Sequence, residues 1–313
     1  MANERQNTTN NLLRAIETRL PSLDAAALPP TVHHYTDASG LDGILKTGTI
    51  WATDYRYLND SSELRYIFDL ARKRLDERTS HQHITSLELA FLTCATTESP
   101  PYDEVHYYLC CFSEAENALS QWRAYGGRQG FCITVPGDIT FREGHEEVAA
   151  RQGQTAGTTL LKVNYDVSEH GEYVETLIEN MVQLCRSEPM SAYEDAKEAL
   201  RQIMPFFWGQ LERVSYRFKH PDFSEEKEWR LVSWGKEDEH FRTGGTLTPY
   251  ARFRLHSTKH PGGGARLPIL AVRHGPTTLP SETRSALDRL LNARGYDRGF
   301  CARLASDTPA RIH

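Results

Sequence analysis

The sequence predicts a mixed α+β fold with helical insertions. Apolar runs indicate buried strands at Gly130–Val135 and at Tyr107–Phe112, and we expect the second run at the centre of a sheet. Apolar residues at helical spacing indicate helices at about 171–186 and 191–217. Strands and helices are interspersed without regular alternation, which argues against a doubly wound nucleotide-binding fold.

The composition is that of an ordinary globular protein. The 313 residues are 39% hydrophobic and 25% charged, so a core can form without metal or disulfide bonds. The six cysteines lack a Cys-x-x-Cys spacing and are expected to be free thiols. Neither a signal-like segment nor an apolar run of membrane-spanning length is present, so we expect a cytoplasmic protein without membrane contact.

The charge is unevenly distributed. The formal net charge is −6, yet the segment from Arg242 onward contains 12 Lys and Arg and only 4 Asp and Glu, a net of +8. The other 24 basic and 38 acidic residues give −14. Two explanations fit this asymmetry equally well. The basic part binds an anionic partner, or it neutralises the acidic part in the folded state. Candidate contacts to nucleic acid or a nucleotide phosphate are Arg242, Arg252, Arg254 and Lys259, with a solvated basic face as the alternative.

The domain organisation follows from the predicted elements. We expect residues 1–30 to form an N-terminal helix and linker. Residues 31–313 are predicted to form a single domain. Helical insertions are expected in it at about 60–95 and 170–218.

The stretch from His33 to Glu63 is the richest in polar and aromatic side chains. It is predicted to contain a strand, a short helix with Ser39 as N-cap and Gly48 as stop, and a second strand. A polar loop with Asn59 follows. So many polar and aromatic side chains beside two short strands favour a ligand-binding cleft over an ordinary hydrophobic core.

Common catalytic motifs are absent from the sequence. It has no Walker-type phosphate loop, no His-Glu-x-x-His and no Gly-x-Ser-x-Gly. The histidines are scattered without a third ligand beside any close pair, so no metal is expected. The strongest candidates for chemistry are Glu226 and Glu228, which are predicted to lie on one strand and to face the same side. A carboxylate in a cleft can stabilise the oxocarbenium-like transition state of C–N glycosidic cleavage.

Several motifs together resemble a widespread bacterial family of domains of unknown function. They are His-Tyr-Thr, Gly-Thr-Ile-Trp-Ala-Thr, Tyr-Leu-Asn-Asp, Cys-Phe-Ser, Leu-Ser-Gln-Trp-Arg-Ala-Tyr-Gly and Glu-Lys-Glu-Trp-Arg-Leu-Val, within residues 32 to 311. The opening His-Tyr-Thr is also similar to the start of NAD-dependent ADP-ribosyltransferases. That resemblance implies a split β-sheet core of ADP-ribosyltransferase type, with NAD bound as a substrate between two small sheets.

The resemblance also implies roles for individual residues. His34 takes the first-strand role, Ser113 or Tyr125 the middle one, and Glu228 that of the catalytic carboxylate. The sequence alone does not decide whether Glu228 or Glu226 is the catalytic carboxylate. If it is Glu228, the resemblance implies that Glu226 directs the acceptor. The residues implied in binding NAD are His34, Tyr35, Thr36, Asn59, Ser113, Trp122, Arg123 and Glu226.

Each of these residues has a structural alternative. His34 could be a satisfied core histidine, Trp122 is favoured as a packing residue, and Glu228 could pair with Arg230 or Arg217. Arg123 fits a phosphate clamp and a structural ion pair equally well.

Three classes of function therefore remain open: an enzyme, a non-catalytic sensor, and a structural or interaction protein that binds no nucleotide. The leading hypothesis is an ADP-ribosyltransferase-like enzyme that transfers ADP-ribose from NAD to an unknown acceptor, nucleic acid or protein, in toxin action or phage defence. An NAD glycohydrolase on the same scaffold is the first alternative. The second is a non-catalytic nucleotide or nucleic-acid sensor.

Overall fold

The structure is a computed structural model of the 313-residue chain. It describes residues 2–23, 26–58, 63–78, 85–97, 107–127, 129–141, 158–187, 190, 195–234, 239–243, 247–260 and 266–308. The predicted loop residue Asn59 lies outside these ranges.

The described elements confirm a mixed α+β fold. The helices are α1 Ala2–Glu17, α2 Ala38–Thr47, α3 Glu63–Arg78, α4 Ser86–Thr97, α5 Leu119–Tyr125, α6 Val167–Arg186, α7 Ala196–Ser215 and α8 Pro280–Ala293. The longer strands are β1 Thr31–Asp37, β2 Ile50–Asp54, β3 Tyr107–Ser113, β4 Gly130–Pro136, β8 Glu228–Trp234, β9 Glu239–Thr243, β10 Leu247–Phe253, β12 Ala271–His274 and β13 Ala302–Ala305. The two-residue strands are β5 Thr140–Phe141, β6 Thr158–Thr159, β7 Leu161–Lys162 and β11 Leu255–His256.

The chain divides into two compact units. A helical unit comprises Met1–Asp24, Asp60–Val105 and Asn164–Phe223. The remaining residues form a sheet unit. The N-terminal helix and the two predicted insertions thus belong to one unit with its own core.

The sheet unit is built on β3, as its apolar sequence predicts. The ten-stranded sheet runs β13-β12-β4-β1-β3-β2-β10-β9, and β8 pairs with β3 and β7. Strand β8 is antiparallel to β3 along its whole length, from Tyr107 opposite Trp234 to Ser113 opposite Glu228. Because a strand has two hydrogen-bonding edges, β1 and β2 must share the other edge of β3. Strand β1 meets it at Ser113 and β2 meets it at Leu109, and we call the gap between them the split.

The sheet unit has one main hydrophobic core. Alternate residues of the strands supply it, including Val32, Phe112, Ile133 and Leu231. Helices α2 and α8 cover this face through buried leucine and isoleucine residues: Leu41, Ile44, Leu45, Leu287 and Leu291. The six cysteines of the chain are free thiols, as expected.

Helix α2 begins two residues earlier than the sequence indicated. The N-cap is Asp37, whose Oδ1 accepts a hydrogen bond of 2.7 Å from the Gly40 N–H, so the prediction of Ser39 as cap was wrong. The shorter Ser39 lies inside the first turn. Gly48 ends the helix at φ 64°, the left-handed conformation that glycine tolerates best, as predicted.

The helical unit has a separate apolar core from α1, α3, α4, α6 and α7. A buried carboxylate, Glu88, is paired there with Arg186 through two hydrogen bonds of 2.7 and 2.8 Å. None of the helices in the described part of the chain is both long and apolar enough to cross a lipid bilayer.

One predicted strand begins later than expected. Glu226 ends a 3₁₀ helix, Pro221–Glu226, and β8 starts only at Glu228. Between them, Lys227 has φ 45°, which no extended strand allows. The prediction that Glu226 and Glu228 lie two apart on one strand, facing the same side, was therefore wrong.

Replacing Gly43 by alanine tests the packing of α2. Alanine usually stabilises a helix by about 1 kcal/mol relative to glycine. A Cβ at Gly43 would lie 2.2 Å from a ring carbon of Trp51, so we expect a net loss of about 1–3 kcal/mol. Gly209→Ala in α7 is the control, since its Cβ meets no atom within 4 Å and should stabilise. Urea unfolding followed by circular dichroism measures both, and a more stable Gly43→Ala protein would contradict this packing.

Candidate active site

Three polar side chains lie side by side across the centre of the sheet. His33 of β1 is opposite Ser113 of β3, and Ser113 is opposite Glu228 of β8. Directly paired residues of antiparallel strands project to the same face, so the three form one row. All three are buried. We call His33, Ser113 and Glu228 the polar row.

The carboxylate of the row is held by an arginine on its own strand. Arg230 Nε and Nη2 donate hydrogen bonds of 2.7 and 2.8 Å to the two oxygens of Glu228. Both side chains are almost completely buried. Pairing is what makes a buried charge tolerable, because an isolated one would cost several kcal/mol. The Glu228–Arg230 contact is one of the two pairings that the sequence left open.

Cys111 lies beside this ion pair, opposite Arg230. Burial raises the pKa of its thiol well above the ordinary value, and the nearby Glu228 charge adds to the rise. The thiol therefore stays protonated at neutral pH and is not an activated nucleophile.

Ser113 connects the row to the backbone around Lys227. Its hydroxyl donates to the Glu226 carbonyl at 2.6 Å and accepts from the Ala115 N–H at 3.0 Å. The Glu114 N–H donates to the Lys227 carbonyl at 3.1 Å. These bonds position the start of β8, and hence Glu228, against the end of β3.

His33 is the third member of the row. Its Nδ1 lies 3.1 Å from Thr134 Oγ1. Burial lowers the pKa of His33 to about 4, opposed by Glu116 and assisted by Arg273. The imidazole is thus neutral at physiological pH and can exchange hydrogen bonds with a sugar hydroxyl.

His34 points to the opposite face and lies at the split. Its Nδ1 donates to the Cys111 carbonyl at 2.9 Å, which leaves a lone pair on Nε2. The ring keeps some accessible surface, yet burial lowers its pKa, and the Arg242 charge lowers it further. Across the split, Arg242 Nη2 donates to Thr53 Oγ1 at 3.1 Å.

Tyr35 and Trp122 take part in packing and in loop positioning. Their rings meet edge to face at 4.7 Å. The Tyr35 hydroxyl donates to the Ala115 carbonyl at 2.6 Å and accepts from the Ala118 N–H at 3.0 Å. Trp122 Nε1 donates to Asn117. The modest preference for Trp122 as a packing residue agrees with this geometry, and contact of either ring with NAD stays a prediction.

The other implied residues are more dispersed. Thr36 is half-buried at the end of β1, and Glu226 contacts Ser113 through its carbonyl. Arg123 and Tyr125 are exposed on α5. Their roles in binding or catalysis stay predictions.

The four basic residues proposed for phosphate contact divide into two groups. Arg242 adjoins the split. Arg252 lies over the Tyr250 ring at 5.8 Å, while Arg254 and Lys259 are exposed farther along the chain.

Sequence reasoning missed His33 and the organising role of Arg230. The Glu-x-Arg spacing on a predicted strand was a usable signal, because residues two apart share a face. No comparable signal separated His33 from His34. Which histidine joins the row depends on the register of β1 against β3, which is set by contacts between distant parts of the chain.

Within the described ranges, no three His, Cys, Asp or Glu side chains are grouped so that they could hold a metal ion. NAD binding without a metal stays a prediction.

Comparison with models of known protein families gives a match. Residues 121–231 match the model of a family described as "Protein of unknown function (DUF2971)". The match covers about a third of the chain and supports the predicted relation to a domain family of unknown function. It includes Glu228 and Arg230 and begins after Ser113. No curated protein and no solved structure matches the chain.

The lowered pKa of His33 makes a prediction about stability. Above pH 6.5 the residue is neutral in both the folded and unfolded states and contributes nothing. As the pH falls from 6.5 towards 4, the unfolded chain binds a proton that the folded chain excludes. The free energy of unfolding should therefore fall by up to about 3 kcal/mol from this residue.

Urea unfolding above pH 6.5 and near pH 4 measures the effect, with His33→Asn as the comparison. Asparagine keeps a polar group near the Nδ1 position but does not titrate. The variant should lose less stability on acidification than the wild type. An equal loss in both proteins would show that His33 titrates normally in the folded state.

Proposed function

We propose that the protein cleaves the nicotinamide–ribose bond of NAD⁺ and transfers ADP-ribose to an acceptor. The observation that carries the proposal is the polar row: a histidine, a serine and a buried carboxylate on three adjacent strands, beside a split sheet. Titratable groups with a strongly shifted pKa, such as His33, are concentrated at functional sites. The motif resemblance to ADP-ribosyltransferases is an independent support.

The chemistry assigns each group a role. The bond from the ribose C1′ to the nicotinamide nitrogen breaks, and its electron pair leaves with nicotinamide. The positive charge that develops on the ribose is stabilised by the Glu228 carboxylate, which Arg230 holds in one orientation. Neutral His33 hydrogen-bonds a ribose hydroxyl. The acceptor then bonds to C1′ and loses a proton, and water in its place gives free ADP-ribose.

Nucleic acid is the acceptor class that the C-terminal charge favours. Arg252, Arg254 and Lys259 form no ion pair with a carboxylate among the described residues. The phosphates of a bound nucleic-acid strand would neutralise these side chains.

Glu228→Gln tests the proposed reaction. Purified protein is incubated with NAD⁺, with and without single-stranded DNA and RNA, and nicotinamide release is followed by chromatography. Removing the charge that stabilises the transition state should lower release by a factor of about 100 or more. Free ADP-ribose indicates hydrolysis, and labelled nucleic acid indicates transfer.

Glu88→Gln is the matched control. It removes a buried carboxylate held by two hydrogen bonds from an arginine, but in the helical unit. Thermal unfolding of both variants separates lost stability from lost chemistry. Wild-type protein that releases no nicotinamide under any condition would refute the proposal. Wild-type binding of NAD⁺ without release would favour the sensor alternative.

A second test distinguishes the two histidines. His33→Asn and His34→Asn each place a polar atom near the position of Nδ1 and remove Nε2. That Nδ1 contacts Thr134 in the case of His33 and Cys111 in the case of His34. If the polar row carries the chemistry, His33→Asn should lower kcat at least about tenfold. His34→Asn should act mainly on KM. The opposite order would restore His34 to the role that the sequence resemblance implied.

A further inference from the structure

Gln121 of α5 carries a buried amide without a protein partner. The residue is only 6% exposed. Within the described ranges, its side-chain oxygen and nitrogen make no hydrogen bond to the protein. Neither atom belongs to the fully enclosed polar atoms that lack a partner, so the amide keeps a small accessible surface. Native proteins normally satisfy such nearly buried groups, and a ligand is the partner that would do so here.

Helix α5 lies over the face of the sheet that carries the polar row. Tyr35 is two residues from His33 on β1, so both side chains project to that face. The Ala118 N–H, at the start of α5, donates to the Tyr35 hydroxyl at 3.0 Å. The Trp122 ring meets the Tyr35 ring at 4.7 Å. The first turn of α5 therefore rests on the neighbour of His33.

Gln121 lies on the sheet-facing side of this helix. It follows Ala118 by three residues, about one turn, and directly precedes Trp122. Gln121 and Trp122 are buried, whereas residues 123–125 are exposed. The amide is thus on the same side of the sheet as the polar row.

The histidine of the row also has a ring nitrogen without a protein partner. His33 Nδ1 contacts Thr134, while its Nε2 makes no hydrogen bond in the part of the chain that the structure describes. His33 is 5% exposed, and Nε2, like the Gln121 amide, is not fully enclosed. Two nearly buried polar groups on one side of the sheet therefore lack protein partners.

The chemistry of the Gln121 side chain indicates which ligand group it binds. A primary amide presents an acceptor and a donor side by side. Another carboxamide matches this arrangement with two hydrogen bonds, whereas a carboxylate offers only acceptors. In the proposed reaction the polar row acts at the ribose C1′. The nicotinamide ring bonded to C1′, with its carboxamide, then lies directly beside the row.

We propose that Gln121 binds the carboxamide of nicotinamide through two reciprocal hydrogen bonds and thereby selects NAD⁺ over its nicotinic acid counterpart. The identity of the ligand as NAD⁺ rests on the proposed function. The burial of Gln121 and its lack of a partner in the described ranges are independent of that function.

Gln121→Met tests the assignment, because methionine has a similar shape but no amide. Calorimetry at low temperature compares the Kd values of NAD⁺ and nicotinic acid adenine dinucleotide, and chromatography checks that both stay intact. The wild type should bind NAD⁺ about ten- to hundredfold more tightly than the acid form. Gln121→Met should lose this preference, with a Kd for NAD⁺ raised by a similar factor. ADP-ribose, which has no nicotinamide, should bind both proteins alike.

Thermal unfolding of the same variant separates binding from a structural role. Because the Gln121 amide makes no hydrogen bond to the described part of the protein, Gln121→Met should unfold at the wild-type temperature or above it. Gln129→Met is the matched control, since the Gln129 amide donates to Thr283 at 2.9 Å. It should unfold at a lower temperature and keep the preference for NAD⁺.

Equal binding of the two dinucleotides by the wild type, an unchanged preference in Gln121→Met, or no binding of NAD⁺ would overturn the assignment. A marked fall in the unfolding temperature of Gln121→Met would show that the amide serves the fold, and would also overturn it. A preference that Gln121→Met loses, in a protein whose wild type releases no nicotinamide, would uphold the assignment while refuting the proposed reaction. Nicotinamide release with an unchanged preference would do the reverse.

Discussion

The architecture of the sheet unit depends on how the two edges of β3 are shared. Strand β8 occupies one edge along all seven residues, so β1 and β2 divide the other between them. Two strands cannot both follow the same edge, and the sheet must open where one replaces the other. At that opening the His34 side chain donates to the Cys111 carbonyl in place of a backbone N–H. The His34 imidazole thus takes the place of a strand partner at the gap, and the same ring is able to contact a ligand.

The polar row shows how the same constraint acts on side chains. With β1, β3 and β8 adjacent and in register, His33, Ser113 and Glu228 are brought together although they are far apart in the sequence. Core stability alone would not require them, because apolar residues of similar size often serve as well as a buried ion pair. Ser113 of the row lies at the end of β3 where β1 pairs with it, directly beside the split.

Much of the fold could be predicted from local patterns. The run Tyr107–Phe112 has the apolar character of a central strand, and Gly48 is a glycine at a helix end; both predictions are confirmed. What failed depended on geometry that no local pattern carries. The reversal of the backbone at Lys227 separates Glu226 from β8, and it follows from contacts with the end of β3. Strand β9 was not predicted, since its polar sequence lacks the apolar alternation of a half-buried strand. The residues His34, Ser113 and Glu228, which the sequence grouped as a candidate site, lie on three adjacent strands, but which histidine shares a face with Ser113 depends on long-range register.

The discontinuous course of the chain has a consequence for folding during synthesis. Ser113 and Glu226 form a hydrogen bond although 113 positions separate them. The last segment of the helical unit ends at Phe223, before β8 begins. As the chain emerges from the ribosome, every segment of the helical unit is therefore synthesised before β8, the strand that pairs with β3 along its whole length. Until then the Tyr-Tyr-Leu-Cys-Cys-Phe strand has one edge unpaired, and such apolar edges are where nascent proteins associate incorrectly or engage chaperones.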